Sequence, residues 1–309
     1  MAIQVLHFGA VTYTYAIGKY EVTLNQYTEF LNAVAATDTY GLYNTNMGTD
    51  LNIKGITRSG SSGSYTYAVS GNGTRPVTYV SWLDAARFTN WLHNGQPTGL
   101  QTYGTTEEGA YSIPVNDGFS HVVPRTPEAQ YWLPSEDEWY KAAYYQPANV
   151  GGDTDGYWNY ATRTNAIPNS RNGSNSDPNS GNFYRDDGLA NGFNGGYAIT
   201  NSPSFSSSQD YLMAVGSFTE ATSYYGTYDQ GGNVTEWSEG LYGAGDDMVD
   251  RGGGWLLDEY AVQPQYRRTD SMMYENYFIG FRVATVPEPA SAMLLVGGGA
   301  LLALRRRRG

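Results

Sequence analysis

The sequence predicts an α+β fold in which regular secondary structure is sparse and loops are many. Glycine and tyrosine are frequent, with 38 and 28 residues among 309. Glycine permits backbone conformations that other residues avoid, so a glycine-rich chain is typical of a fold with many tight turns. Hydrophobic residues make up 40% of the chain, which is enough for the core of one large domain or two small ones.

Helix-start signals occur at three places, and they supply the α part of the prediction. The capping residues are Thr23 with Gln26, then Ser81, then Ser135 with Glu138. Apolar residues recur at helical spacing behind each of them, which predicts one helix at about 24–35 and two further helices after the later caps. Short extended runs at 17–23 and 76–80 lead into the first two helices, and a hairpin is expected near 65–69.

Charge and residue usage exclude several classes of function. The formal net charge is −12. Residues 287–309 contain four of the 18 basic residues and only one of the 30 acidic residues, so the rest of the chain carries about −15. Such a body repels phosphate backbones and argues against nucleic-acid binding. The chain has no cysteine, which excludes disulfides, thiolate metal ligands and a thiol nucleophile. Three widely spaced histidines do not favour a histidine metal centre or triad.

Two glycine-rich turns that each close on a tryptophan lie between residues 228 and 255. The first is Asp-Gln-Gly-Gly-Asn-Val-Thr-Glu-Trp at 229–237, and the second is Asp-Arg-Gly-Gly-Gly-Trp at 250–255. One interpretation is a pair of tight turns that pin strands onto the core. The other is that the carboxylates of Asp229 and Glu236, with main-chain oxygens between them, enclose a hard cation.

These motifs resemble the formylglycine-generating enzyme (sulfatase-modifying factor) family, which shows Gly-Asn-Val-Trp-Glu-Trp and then Arg-Gly-Gly-Ser-Trp. Further matching segments, in the same order, are 18–23, 75–86, 131–139, 215–218 and 277–283. The resemblance covers 17–284 and implies the family's C-type-lectin-like α+β fold, with 1–16 as an N-terminal segment and 17–285 as the domain. It also implies strands at 215–218 and at the Gly-Phe-Arg-Val ending. Trp132 departs from the family pattern, which has arginine at this position.

The resemblance implies two calcium sites. The ligands of one are the Asp229 side chain, the Gly232 and Val234 carbonyls and the Glu236 side chain. The ligands of the other are the Asn182 side chain, the Phe183 carbonyl, the Asp210 carboxylate and the Leu212 carbonyl, within the least regular part of the chain at 146–209. Calcium takes six to eight oxygens and mixes carboxylates with carbonyls, so these donor types suit the ion. A bound ion would fix irregular backbone without a large apolar core.

The catalytic metal of the family is not expected here. Oxygen-dependent members bind copper through two cysteines that follow the Gly-Gly-Ser-Trp motif. The corresponding segment, 256–267, contains none. Copper(I) requires soft ligands such as thiolates, which tyrosine, glutamine and aspartate do not replace. We therefore expect neither copper nor formylglycine synthesis.

The C-terminal segment, 286–309, carries a separate signal. Its signature residues are Pro287, Glu288 and Pro289, and then Arg305, Arg306, Arg307 and Arg308. Between them, 290–304 is an uncharged stretch that is shorter than the ~20 residues that span a bilayer comfortably. The pattern resembles the PEP-CTERM sorting signal of exopolysaccharide-producing Gram-negative bacteria. It implies export, transient inner-membrane anchoring by a short transmembrane helix with the arginines on the cytoplasmic side, and cleavage by an exosortase-type processing protease.

The same signal places the mature protein at the cell envelope or surface, or outside the cell. Residues 1–10 have neither the basic start nor the apolar run of a signal peptide, so we expect a leader to be encoded upstream.

Three hypotheses of function follow. The first is an exported, calcium-stabilised, non-catalytic binding domain whose ligand is an envelope glycan or protein. The second is an enzyme of unknown reaction in the former active-site cleft, and its candidate residues are Asp258, Glu259, Asp270, Arg267 and Arg268. The third is a purely structural envelope component. The tyrosines and tryptophans could provide stacking surfaces for sugar rings, which favours the first hypothesis.

Overall fold

The computed structural model describes residues 8–114, 123–173, 176–241 and 247–287. Its helices are α1 (Leu24–Val34), α2 (Asn46–Thr49), α3 (Trp82–His93) and α4 (Glu136–Tyr144), with a 3-10 turn at Ala148–Val150. Its strands are β1 (Ala16–Ile17), β2 (Ile56–Ser59), β3 (Thr66–Val69), β4 (Tyr131–Trp132), β5 (Asn169–Ser170), β6 (Ser180–Gly181), β7 (Tyr184–Asp186), β8 (Gly195–Tyr197), β9 (Thr235–Leu241), β10 (Asp247–Arg251), β11 (Arg268–Ser271), β12 (Ile279–Gly280) and β13 (Ala284–Thr285). The α+β class with few helices and many loops is therefore confirmed.

The three long helices begin where the capping residues predict. At α1, the Thr23 hydroxyl accepts from the Gln26 N–H, and the Gln26 side chain accepts from the Thr23 N–H at 2.9 Å. The starts of α3 and α4 have the same reciprocal arrangement. Each of these reciprocal arrangements, known as capping boxes, satisfies two N–H groups that a helix terminus otherwise leaves unpaired. It thereby fixes the first residue of the helix.

The strands form two main sheets and three short pairs. One main sheet has the order β1-β13-β4, and the other has the order β11-β10-β9-β12 with β12 parallel to β9. The pairs are β2-β3, which is the predicted hairpin, β5-β6 and β7-β8. In the second sheet Arg251 lies opposite Glu236 and Asp250 opposite Trp237, so the two tryptophan-closing motifs become neighbours.

An aromatic core joins α1 and α3 to the end of the chain. Phe88 of α3 lies 5.3 Å from Phe30 of α1 and 5.4 Å from Phe281, measured between ring centroids, and both pairs are edge-to-face. All three side chains are buried. Such pairs add about 0.5–1.5 kcal/mol each beyond the burial of their area. This core therefore holds residues 281–283 in place although they belong to no strand.

Three strand predictions were wrong. The first strand is Ala16–Ile17 rather than 17–23, because the chain bends after Ile17 and continues through isolated contacts. Residues 215–218 form a turn, with Gly216 at φ +72°. Of the Gly-Phe-Arg-Val ending only Gly280 belongs to a strand, β12, and residues 281–283 form no strand, because Arg282 turns inward to a buried carboxylate.

The predicted membrane segment, 290–304, and the motif residues from Glu288 onward lie outside the described residues. Within the ranges that are described, no helix is long and apolar enough to cross a membrane.

Candidate functional site

A buried ion pair forms the centre of the candidate site. Arg282 donates to both carboxylate oxygens of Glu236, from Nε at 2.5 Å and from an Nη at 2.6 Å, and both side chains are fully buried. Trp139 Nε1 donates to the same carboxylate at 2.8 Å. The guanidinium also donates to the carbonyls of Gly18 and Tyr228 at 2.9 Å each. This bidentate arrangement ties the N-terminal strand, α4, the first glycine-rich turn and the chain end together.

Two further carboxylates surround this pair and leave the cluster with excess negative charge. Glu21 is 2% exposed, accepts from Asn233 Nδ2 at 3.1 Å through Oε1, and has no hydrogen-bond partner at Oε2. Burial, and then the charges of Asp229 and Glu236, raise the pKa of Glu21 well above its ordinary value. Burial also raises the pKa of Asp229 to about 6. Three acids thus face one guanidinium, Arg282.

The predicted second calcium site lies in this cluster. Asp229, Gly232, Val234 and Glu236 span one turn, in which the backbone of Asp229 is left-handed at φ +60°. Glu236 is committed to the ion pair, whereas the unpartnered Glu21 oxygen is an additional donor that the sequence analysis missed. No three acidic or histidine side chains of the described chain converge as metal ligands. The excess charge and the orphan oxygen nevertheless fit a divalent cation held by fewer carboxylates and more carbonyls.

The predicted first site is only partly assembled. Its residues are Asn182, Phe183, Asp210 and Leu212. Asn182 Nδ2 donates to the Tyr211 carbonyl at 2.9 Å, which brings the amide beside the 210–212 loop. The Asp210 carboxylate, however, is paired with Arg75 and accepts the Leu212 N–H at 3.1 Å. This aspartate already has a cationic partner, so the donor set is weaker than in the buried cluster.

A second buried ion-pair group includes Arg267, one of the candidate residues of the enzyme hypothesis. Arg267 donates to both oxygens of Glu136 at 2.6 Å, and Arg251 donates to Oε1 of the same carboxylate at 2.7 Å from Nε. The Phe8 ring lies over both guanidinium groups, at 4.7 Å from that of Arg251 and 5.0 Å from that of Arg267. Both arginines are therefore used in holding α4, the N-terminal segment and the second glycine-rich turn together.

The remaining candidate residues of the enzyme hypothesis do not form one group. Arg268 pairs with Asp250 at 3.2 Å and with Asp270. Burial raises the pKa of Asp250 to about 7. Asp258 accepts the N–H two residues further on at 3.1 Å, and neither Asp258 nor Glu259 forms an ion pair with another described residue. The structure thus brings Arg268 and Asp270 together and leaves the other two acids on a separate turn.

The tryptophan that stands where the family pattern has arginine is hydrogen-bonded to a buried glutamate. Trp132 Nε1 donates to Glu138 Oε2 at 3.0 Å. The missing positive charge comes from Arg125, whose guanidinium lies 4.5 Å from the Trp132 ring centroid and 3.5 Å from Glu138 Oε1. The sequence analysis missed this replacement because Arg125 lies outside the motif.

A tyrosine-walled groove lies beside this tryptophan, between the N-terminal segment and α4. Its cavity of about 430 Å³ is lined by Tyr13, Tyr15, Tyr225 and Lys141, among others. The rings of Tyr13 and Tyr225 are 51% and 48% exposed. The hydroxyls of Tyr13 and Tyr15 each donate to Glu138 at 2.7 Å, one to Oε1 and one to the carbonyl. Two of the three rings are therefore fixed while part of their surface remains free.

A second cavity continues the groove on the other side of Tyr13. It measures about 280 Å³ and shares Tyr13 and Thr14 with the first, and its further lining includes Arg125, Trp132 and Val286. The two cavities together form a path that crosses the N-terminal segment and ends beside the last strand.

Comparison with known proteins gives a family match over nearly the whole chain. The family model described as "Sulfatase-modifying factor enzyme 1-like domain" matches residues 9–286, and that of the PEP-CTERM protein-sorting motif matches 285–308. No curated protein matches.

Similar solved structures include three with low sequence identity. They are "Crystal Structure of CarF" (21% identity, 92% of this chain and 94% of that chain, TM-score 0.49), "Treponema denticola variable protein 1" (16%, 91% and 92%, TM-score 0.47) and "Structure of PvdO from Pseudomonas aeruginosa" (17%, 88% and 80%, TM-score 0.43).

Proposed function

Because the chain belongs to the sulfatase-modifying factor enzyme 1-like family and carries the PEP-CTERM protein-sorting motif, we propose that it is an exported, calcium-stabilised, non-catalytic binding domain. Its ligand is a glycan or protein of the envelope, and the mature domain acts at the cell surface or outside the cell. The exosortase-type protease that recognises the sorting motif is its processing partner. The tyrosine-walled groove is the observation that carries the proposal.

The non-catalytic part of the proposal is supported by how the polar groups of the former cleft are used. Arg267 is committed to Glu136, and Arg268 is committed to Asp250 and Asp270. A general acid or base must reach a substrate proton; of the three candidate acids, Asp270 is tied to Arg268, and Asp258 and Glu259 lie apart from it on a separate turn. The absence of cysteine removes the thiolates of the family's copper centre.

The groove has the physical properties of a saccharide site. Fixed tyrosine rings offer apolar area and lose little conformational entropy when they bind, which is why binding loops are rich in tyrosine. Lys141 uses one of its three donors on the Val11 carbonyl at 2.9 Å, and it forms no ion pair with a described residue. Two donors remain for ligand hydroxyls. A cavity of about 430 Å³ lies within the range of small-ligand sites.

Calcium is assigned to the buried acid cluster. Asp229 and the orphan oxygen of Glu21, with the carbonyls of Gly232 and Val234, would hold the ion. When bound, it supplies positive charge that offsets the excess carboxylates and fixes the first glycine-rich turn. The residues themselves bind and orient, and no chemical step is assigned to the ion.

Glycan-array binding and envelope pull-down of the mature protein test this proposal, in calcium and in chelator. Wild-type protein should bind an envelope component, and Tyr225→Ala should weaken that binding about fivefold because a stacked ring is worth about 1 kcal/mol. Tyr103→Ala is the matched control, since Tyr103 is 61% exposed and lies outside both cavities. A flat array together with an empty pull-down would contradict the proposal.

A further inference from the structure

The sorting motif follows the folded domain without a linker. The domain match ends at residue 286, and the match to the sorting motif begins at 285. β13 ends at Thr285, and Pro287, the first residue of the Pro-Glu-Pro motif, is exposed two positions later. Proline has no N–H to continue a ladder, which agrees with the strand ending before it.

β13 is the middle strand of its sheet. Ala284 and Thr285 pair antiparallel with β1 on one side and with β4 on the other. The Val283 carbonyl accepts the Gly18 N–H at 2.7 Å, and Val286 donates its N–H to a carbonyl just before β4 at 3.3 Å. The main-chain N–H and C=O groups just before the motif therefore form hydrogen bonds on both sides of the strand.

The residues before β13 anchor it in the core. Ala284 and Phe281 are fully buried, and Arg282 forms the buried pair with Glu236. Lifting β13 out of the sheet pulls directly on these groups, so the strand cannot be released by fraying of a surface end. In the folded protein the chain is held up to Val286.

The distance to the membrane segment is short. Residues 286–289 span at most about 14 Å even when fully extended. Enzymes that act on peptides commonly bind them as extended strands through main-chain hydrogen bonds, and they need several free residues beside the bond that is cut. Once β13 has joined the sheet, the main chain up to Val286 is no longer free to bind a protease in this way.

We propose that docking of β13 between β1 and β4 ties up the chain beside the sorting motif, so that the exosortase-type protease cleaves before β13 docks. Cleavage then releases a chain whose last strand completes the sheet, and a molecule that folds first is a poor substrate. This order of events does not depend on which ligand the mature domain binds.

The test is the cleavage rate of the full chain, reconstituted with its processing protease in lipid vesicles and followed by the size shift on gels. The variants are wild type, an insertion of about 12 Gly-Ser residues between Val286 and Pro287, and the same insertion after Gly71. Gly71 lies in an exposed turn with open space around it, which makes the second insertion a matched control. Each protein is assayed after folding and also while held unfolded by denaturant before mixing.

We expect folded wild type and the Gly71 control to be cleaved at least tenfold more slowly than the variant with the spacer before Pro287. All three should be cleaved at similar rates when they are presented unfolded. Arg282→Met, which loosens the anchor of β13, should also be cleaved faster than wild type after folding. Equal rates for folded wild type and the spacer variant, or equal rates for folded and unfolded wild type, would overturn the proposal.

Discussion

Replacing Arg282 tests the charge imbalance of the buried cluster. Arg282→Met removes the guanidinium that faces Glu21, Asp229 and Glu236 and leaves all three acids without it. The variant also loses the hydrogen bonds to two main-chain carbonyls at 2.9 Å. Removing one partner of a buried ion pair costs about 3–5 kcal/mol, and we expect this variant to reach the upper end of that range.

Replacing the acid of the same pair should cost much less. Glu236→Gln keeps the shape of the side chain and an oxygen that accepts from Trp139 Nε1, which now lies at 2.8 Å. The guanidinium keeps Asp229 as a neighbouring negative charge, and Glu21 lies beside it. The remaining oxygen still accepts from Arg282 Nε, but the amide N–H₂ now faces the Arg282 Nη that the second carboxylate oxygen accepted from, so one hydrogen bond is lost. We expect a loss of about 1–3 kcal/mol, which is smaller than that of Arg282→Met.

Urea unfolding followed by tryptophan fluorescence measures both free energies, at neutral pH in chelator. Arg163→Met is the control for the loss of an arginine, because Arg163 is exposed and donates one hydrogen bond, to the Thr222 carbonyl at 3.0 Å, and it should change stability by about 1 kcal/mol or less. If Glu236→Gln cost as much as Arg282→Met, or more, the acids would not be in excess and the reasoning would be refuted.

Three further predictions concern the same scaffold. Burial raises the pKa of Glu239 to about 7, so the folded state keeps a proton that the unfolded chain releases at lower pH. This group alone should lower stability by about 2–3 kcal/mol between about pH 5 and about pH 8, measured in chelator as the difference between the urea-unfolding pH profiles of wild type and Glu239→Gln. Gly252→Ala should lower the free energy of unfolding by at least about 2 kcal/mol, because φ is +99° and a Cβ would lie 3.0 Å from a tryptophan ring carbon. Gly226→Ala is the control, since Gly226 has φ +79° but open space around it, and it should cost about 1 kcal/mol. Equal melting temperatures for the two variants would contradict this. Asn233→Asp adds a carboxylate beside Glu21 and should lower the melting temperature in chelator, and an unchanged value would count against the excess of acids.

Local signals in the sequence were sufficient for the three long helices, whereas the four-residue α2, which has no side-chain cap, was not predicted. The capping pairs at Thr23, Ser81 and Ser135 fix where α1, α3 and α4 begin, because a cap and the residue three positions later interact within one turn. The hairpin near 65–69 also follows from neighbouring residues. The order of the motifs identified the family because each motif is a short continuous segment.

The strands and the site depend on partners far apart in the sequence, and these could not be predicted. Glu236 and Arg282 are 46 positions apart, and Glu21 and Asn233 are 212 apart. No periodicity connects such pairs, so the sequence placed Glu236 among calcium ligands without revealing its arginine and missed Glu21 altogether. Arg125 was missed for the same reason, since it supports Glu138 from outside the motif.

Thermal unfolding of the purified protein in chelator and in millimolar calcium tests the central claim, that the buried acid cluster takes up a divalent ion. The account predicts a higher melting temperature in calcium, corresponding to about 2.7 kcal/mol at a hundredfold excess over the dissociation constant, and loss of most of that gain in Asp229→Asn. The same melting temperature with and without calcium would contradict it.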